Sequence, residues 1–276
     1  MQRTEIAMSS SEIAVLRPKR STRFSTWHYF DLVITLAHKE VKVRYKNNVL
    51  GYLWSLANPL ASALVFYFAM QVVFKSSIPN YPLFLIIGLF AWQWFNNYLI
   101  GACSVFLANG SLIKKSVFPR SVLPIALNIQ DAFHFVMSLP ITFCFMYFYH
   151  IPIGSSVIVG VLLLIPAQFL FLLGIGLAAS SINLFFRDME RIIAIVLSMM
   201  MYLSPVLFPI EKVPAPYNHW MSFNPMTPLI EAWRGVLLKN EVQWGNIELC
   251  YIYAAIALVI GSLIYRKLSP GFAEVI

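Results

Sequence analysis

The chain has 276 residues, of which 59% are hydrophobic and only 12% charged, against about 25% charged in an ordinary soluble domain. That leaves too little polar surface to cover a water-soluble core and places the chain in a membrane, with a 15% aromatic share suited to two membrane–water interfaces. The formal charge of +8 does not signal nucleic acid, because the basic residues sit in short segments between apolar runs and read as orientation signals.

Taken in chain order, residues 1–27 form a polar arm with five basic residues and no apolar core of signal-peptide length. We expect this arm to be disordered and to stay in the cytoplasm. Phe30–Lys46 follows as an amphipathic helix. Phe30, Val33, Ile34, Ala37 and Val41 fall on one side at helical spacing; Asp31, His38, Lys39, Lys42 and Lys46 take the other. Such a helix lies on the cytoplasmic surface of a bilayer, either as a plain anchor or as a docking element for a partner.

Six apolar runs then follow, at about 52–74, 81–105, 121–149, 155–185, 192–208 and 247–265. A hydrocarbon core of about 30 Å needs about 20 helical residues, and backbone in lipid must be helical because unpaired groups there cost several kcal/mol. The expected fold is therefore all-α, with six spans. The fourth run carries Pro166, Gly174 and Gly176, so a kink or tilt is expected there, and the two glycines read as helix-packing positions rather than a phosphate loop. Of 20 lysines and arginines, 16 fall on the side of the N-terminus if the six runs alternate. Only Lys75, Lys212, Arg234 and Lys239 fall opposite, which puts both termini in the cytoplasm of a bacterial inner-membrane, multi-pass protein.

Residues 209–240 are too broken by Pro214, Pro216, Pro225 and Pro228 to form one span. Two short helices dipping into the outer leaflet fit better, the second over about 228–238. Irregular backbone at that depth has to be covered by the bundle or by a second copy of the chain.

Chemistry-bearing patterns are sparse. There is no nucleotide-binding Gly-x-x-x-x-Gly-Lys-Ser/Thr loop, no nucleophile elbow and no metal-ligand spacing. Cys103, Cys144 and Cys250 lie in or beside apolar runs and read as small apolar residues. Asp131 and His134, flanked by Asn128 and Gln130, form the one ionisable cluster inside a span, three residues apart and able to pair on one face. Intramembrane charge suggests a proton relay, but a structural pair joining helices fits as well. The inner connections Asn109–Arg120 and Asn183–Arg191 are short and charged; they are either solvated turns or elements that carry force from a cytoplasmic partner.

Three segments, in order, carry a resemblance. Val43-Arg-Tyr-Lys-Asn-Asn-Val-Leu-Gly-Tyr-Leu-Trp-Ser-Leu-Ala-Asn-Pro-Leu60 resembles the entry into span one of type-2 ABC exporter permeases. Phe118-Pro-Arg-Ser-Val-Leu-Pro124 resembles their second-to-third connection, and Asn224-Pro-Met-Thr-Pro-Leu-Ile-Glu-Ala-Trp-Arg-Gly-Val-Leu-Leu238 the segment before their last span. The likeness runs from about residue 29 to 267 and is greatest to the branch exporting O-antigen, capsule and teichoic-acid chains.

That resemblance implies a transmembrane domain over 28–276, a homodimer, and two copies of a separate ATPase that bind ATP and Mg, with no cofactor in this chain. The interface helix would be 30–46, contributing Lys39, Glu40 and Arg44. The coupling helix would be 109–117, contributing Asn109, Lys114 and Lys115, with Arg120, Arg187 and Asp188 nearby. Residues 209–240 would be the outer-leaflet re-entrant hairpin. The cargo implied is an undecaprenyl-diphosphate-linked glycan whose head group meets Lys39, Lys42 and Arg44 and whose polymer passes between the two copies. Trp54, Phe66, Tyr67 and Tyr202 are the aromatic candidates for a lining along which sugar faces slide, although each alone reads equally as a lipid-facing or core residue. The rival readings are an exporter of a drug or small lipid and, from another class, a membrane-bound glycosyl- or acyltransferase. The loop acids and His219 lack the acid–base spacing of the latter.

Overall fold

The computed structural model describes residues 26–45, 53–75, 77–116 and 118–275, and all regular structure among them is helical. The 1–25 part of the arm, the start of span one and the side chains of Arg44 and Trp54 lie outside the described set. In order, the helices are α1 (Thr26–Tyr45), α2 (Leu53–Tyr67, continued by a π-helical turn over Phe68–Val73), α3 (Tyr81–Ala108), α4 (Gly110–Lys115), α5 (Val122–Phe148), α6 (Ser155–Phe185), α7 (Met189–Tyr202), α8 (Tyr217–Ser222), α9 (Met226–Leu238), α10 (Trp244–Leu268) and α11 (Phe272–Val275).

Five helical stretches are long and apolar enough to cross a bilayer: residues 56–73, 81–108, 122–148, 155–185 and 244–271. Helix α7 has 14 residues, about 21 Å at 1.5 Å per residue, and falls short of a span on its own. Its strand of chain nevertheless runs the length of α3. At one end Glu190 N donates to Asn183 Oδ1 (2.9 Å) while Asn183 Nδ2 donates to Cys103 O (2.8 Å). At the other, Tyr81 Oη donates to Leu207 O (2.8 Å). The last stretch, 203–208, is non-helical; Leu203 is exposed, while residues 204–207 are shielded by protein, with Ser204 and Val206 fully buried. The sequence expectation of a helix over 192–208 is therefore met only as far as Tyr202.

Helix α3 is the central post, in contact with α2, α5, α6, α7 and α9. Helices α6 and α10 form the most extensive pair, and glycine explains their closeness. A Cβ on Gly174 would fall on the backbone of Ala257 and Leu258, and one on Gly261 on the backbone of Gly174. A Cβ on Gly176 would likewise strike the Tyr98 ring. These glycines serve packing, as small residues do where lipid gives no hydrophobic drive between helices.

One end of the bundle gathers both ends of the described chain. Val33, Leu36 and Ala37 of α1 cluster with Phe106, Ile113 of α4, Val122, Leu184 and Phe272 of α11. Helix α1 buries Val33 and Ala37 of the expected apolar side, with Leu36 beside them, while Asp31, His38, Lys39 and Lys42 are exposed. Phe30 and Ile34, from the same apolar side, are 59% and 64% exposed. The cause is that α1 packs on α5, so its inner stripe is chosen by protein contact, while Phe30 and Ile34 form a second apolar stripe left for lipid.

Candidate functional site

Three regions carry polar chemistry. The first lies within the span of the bundle. A groove of about 210 Å³ opens between α2 and α7 over α3, lined by Asn58, Ser62, Gln93, Asn96, Asn97 and Ser198 together with Trp92 and aliphatic neighbours. Gln93 and Asn97 also face the space between α2, α3 and α5. There they line a small cavity of about 30 Å³ with Asp131, His134, Trp94 and Ser138. That volume accommodates a water molecule at a polar site. Asp131 and His134 thus share one cavity, with Asp131 buried and His134 half-buried. The two spaces adjoin through Gln93 and Asn97, so polar lining continues from the α2–α7 groove to α5. Amides facing lipid cost several kcal/mol each, so the face carrying Asn58, Asn96 and Ser198 is one that protein or a polar passage covers.

Of the aromatic candidates, Tyr67 and Tyr202 are exposed and Phe66 is half-buried against the core; none of the three lines this groove. The groove itself is lined by amides and hydroxyls together with Trp92. Sequence reasoning missed Asn58, Gln93, Asn96 and Asn97. The signal was present as uncharged amides, Asn58 in the first apolar run and Gln93, Asn96 and Asn97 at helical spacing in the second.

The second region is the end that holds α1, α4 and α11. Lys114 and Lys115 project outward from the six-residue α4, while Ile113 anchors it. Arg187 and Asp188 are exposed between α6 and α7. Lys39 and Lys42 are exposed on α1, and Lys39 lies 3.4 Å from Glu40, a surface pair worth little by itself. Two expected members point inward instead. Asn109 Nδ2 donates to Val105 O (3.0 Å) and finishes α3. Arg120 Nη1 donates to Ser269 O (2.8 Å), with its guanidinium 5.6 Å from the Phe272 ring centroid, so it secures the chain's C-terminal turn. The outward set is Lys39, Lys42, Lys114, Lys115, Arg187 and Asp188.

The third region is α9, and its sequence is explained by burial. Asn224 Oδ1 accepts from Met226 N (3.0 Å) and Nδ2 donates to Ser204 Oγ (2.7 Å), starting the helix against the irregular end of the α7 segment. Trp233 Nε1 donates to Gln168 Oε1 (2.9 Å), whose Nε2 in turn donates to Ala91 O (3.0 Å), joining α9, α6 and α3. Arg234 is only 2% exposed. It donates to Pro205 O, to Val206 O (2.7 Å) and to Glu231 Oε1 (3.1 Å), and lies over the Phe84 ring at 3.4 Å from its centroid. Burial pushes the Arg234 guanidinium down to about 10, and Glu231 pulls it back up, so it stays charged near neutrality. Burial likewise raises the Glu231 carboxyl, opposed by Arg234. Arg234 is therefore a core residue that ties down non-helical backbone, and its charge carries no weight in the orientation count.

The ABC-2 type transporter family model matches residues 31–238, from α1 through α9. This chain belongs to the ABC-2 type transporter family. The family assignment makes it the membrane subunit of a transporter rather than an enzyme, in a multi-pass inner-membrane setting. It is 36% identical over 254 residues to the O-antigen export system permease protein RfbA of Klebsiella pneumoniae, covering 92% of this chain and 98% of that protein. It is 30% identical to the protein of that name from Myxococcus xanthus, over 90% of this chain and 96% of the relative. It is 23% identical to the polysialic acid transport protein KpsM of Escherichia coli, over 83% and 90%.

Proposed function

We propose that this chain is the permease subunit of an ABC exporter that moves a polysaccharide across the inner membrane, O-antigen first, with capsule or teichoic acid next. The observation that carries the reading is the end-to-end likeness to O-antigen export permeases at up to 36% identity. The energy comes from a separate ABC ATPase, which holds ATP and Mg; this chain holds no cofactor. Two copies of the permease pair with two copies of the ATPase, and no nucleic acid is involved. Six crossings, with α7 and its non-helical extension as the fifth, leave both termini cytoplasmic by the excess of basic residues at that end. Lys39 of α1, Lys114 and Lys115 of α4, and Arg187 and Asp188 of the α6–α7 connection meet the ATPase, and α8–α9 is a re-entrant hairpin at the outer leaflet.

The cargo in this reading is an undecaprenyl-diphosphate-linked glycan. Lys39 and Lys42 offer positive charge to its diphosphate. The amide-lined α2–α7 face meets its counterpart on the second copy, and the glycan passes between them as the ATPases rock the copies apart. An uncharged lining of amides and hydroxyls suits sugar hydroxyls without trapping any one residue of a long polymer. Asp131 and His134 sit beside this path as a structural pair joining α5 to α3, with the proton-relay role as the alternative that a transport assay over pH would reveal.

Deleting the gene and assaying both surface polysaccharide and membrane-bound carrier-linked glycan tests the reading. Loss from the surface with build-up of finished polymer inside supports polysaccharide export. Loss without internal polymer indicates a synthetic enzyme, and an unchanged surface leaves export of a drug or small lipid as the better account.

A further inference from the structure

The end of the bundle opposite α1 contains an open cleft of about 520 Å³ between the turn at Ile210–Lys212, α9 and the start of α10. Its polar lining includes Glu211, Glu231, Lys239, Gln243 and Asn246, and Trp244 forms part of its wall. The volume falls within the range of about 300–1,000 Å³ usual for ligand pockets. No step assigned to the ATPase interface or to the membrane groove uses it.

We infer that this cleft is a carbohydrate subsite on the outer face, which binds a segment of the emerging glycan. The inference rests on the polysaccharide reading and on the orientation given with it. Trp244, the first residue of α10, is 65% exposed and offers an indole face to the apolar side of a sugar ring. Asn246 Nδ2 donates to Gln243 Oε1 (2.7 Å), which leaves the Gln243 nitrogen as donor and the Asn246 oxygen as acceptor for a ligand. Gln243 is held in place from below: it lies so close over Gly235 of α9 that a Cβ there would sit 2.7 Å from its Cδ. Glu231 is fixed by Arg234 at 3.1 Å, while Glu211 stands exposed at the rim.

The mixture selects among ligand classes. Hydroxyl groups both donate and accept, and here they meet acceptors on Glu211 and Asn246 and donors on Gln243 and Lys239. A phosphate or other anion would face two carboxylates. A metal cation would face Lys239, and no group of three or more His, Cys, Asp or Glu suited to a metal occurs among the described residues. An aromatic placed only as a membrane-interface anchor would have no need of pinned amides beside it.

The test uses the permease–ATPase complex in nanodiscs, with both faces accessible. The probe is the strain's own surface polysaccharide, freed of lipid by mild acid and radiolabelled. Trp244→Ala removes the stacking face. Gly245→Phe fills the cleft, since a Cβ at Gly245 meets no atom within 4 Å. Both sites are exposed, so both variants are expected at wild-type levels in the membrane. Each is expected to weaken binding about tenfold, the equivalent of about 1.4 kcal/mol. Wild-type affinity in both variants, or no binding by the wild-type complex, overturns the subsite. If gene deletion still blocks export in that case, only this inference falls; if deletion leaves the surface unchanged, the polysaccharide reading falls with it.

Discussion

Replacing Arg234 with methionine keeps most of the side-chain volume but removes a charge on which three groups depend. Val206 O loses a bond of 2.7 Å, Pro205 O loses its donor, and Glu231 loses its partner at 3.1 Å. Two buried carbonyls and a carboxylate with a side chain only 15% exposed are left without their guanidinium. Breaking one side of a buried ion pair costs about 3–5 kcal/mol, a large share of a total stability of about 5–15 kcal/mol. Because methionine fills the space, little of this is a cavity effect. For a chain of this size the loss corresponds to roughly 10 °C in unfolding midpoint, measured on purified protein by the fraction surviving a heating series. Adding Glu231→Gln removes the stranded charge, so the double variant is expected to be more stable than Arg234→Met alone. An Arg234→Met midpoint within about 2 °C of wild type, well below the loss expected for a broken buried pair, would refute the reasoning.

Gly88→Ala places a Cβ 2.8 Å from Arg234 Nη2 and 3.0 Å from Val206 O; the same heating series is expected to show a loss of about 1–3 kcal/mol, as for other overpacked sites. Gly261→Leu drives a side chain into the backbone of Gly174 and is expected to abolish accumulation in the membrane, read by immunoblot. Asn183→Ala cuts the bond that holds the start of α7 to α6 and the bond that holds α6 to α3, with an expected cost of about 1–3 kcal/mol and weakened coupling of ATP hydrolysis to transport. Lys114→Glu with Lys115→Glu reverses charges that project away from the fold; protein level should stay at wild type while pull-down of the ATPase falls several-fold, and unchanged pull-down would remove α4 from the interface.

The fold class was legible because lipid permits few solutions: a long apolar run in a membrane must be helical, and most of the long runs are single helices here. The proline spacing over 209–240 likewise announced short helices. What the sequence hid was which polar residues face inward. Arg234 looks like any arginine on a short exposed helix, and only the burial of α9 beside the non-helical end of the α7 segment makes it a core residue. Arg120 and Asn109 share a charged, turn-rich connection with Lys114 and Lys115; a local bond that ends α3 turns Asn109 inward, and a tertiary contact with Ser269 does so for Arg120. Phe30 and Ile34 share the broad apolar side of α1 with Val33 and Ala37, and only the packing on α5 shows which part of that side is buried by protein. The amides at Gln93, Asn96 and Asn97 were visible but uncharged, and only the juxtaposition of α2, α3 and α7 makes a groove of them.

Inverted inner-membrane vesicles, which expose the cytoplasmic face, give the most direct test of polysaccharide export. Radiolabelled carrier-linked glycan made on that face is followed into the interior, where an added glycosidase cannot reach it. Protection that requires both ATP and this chain is the result expected. Equal protection in vesicles from wild-type and deletion strains, with ATP and active ATPase present, would contradict the account.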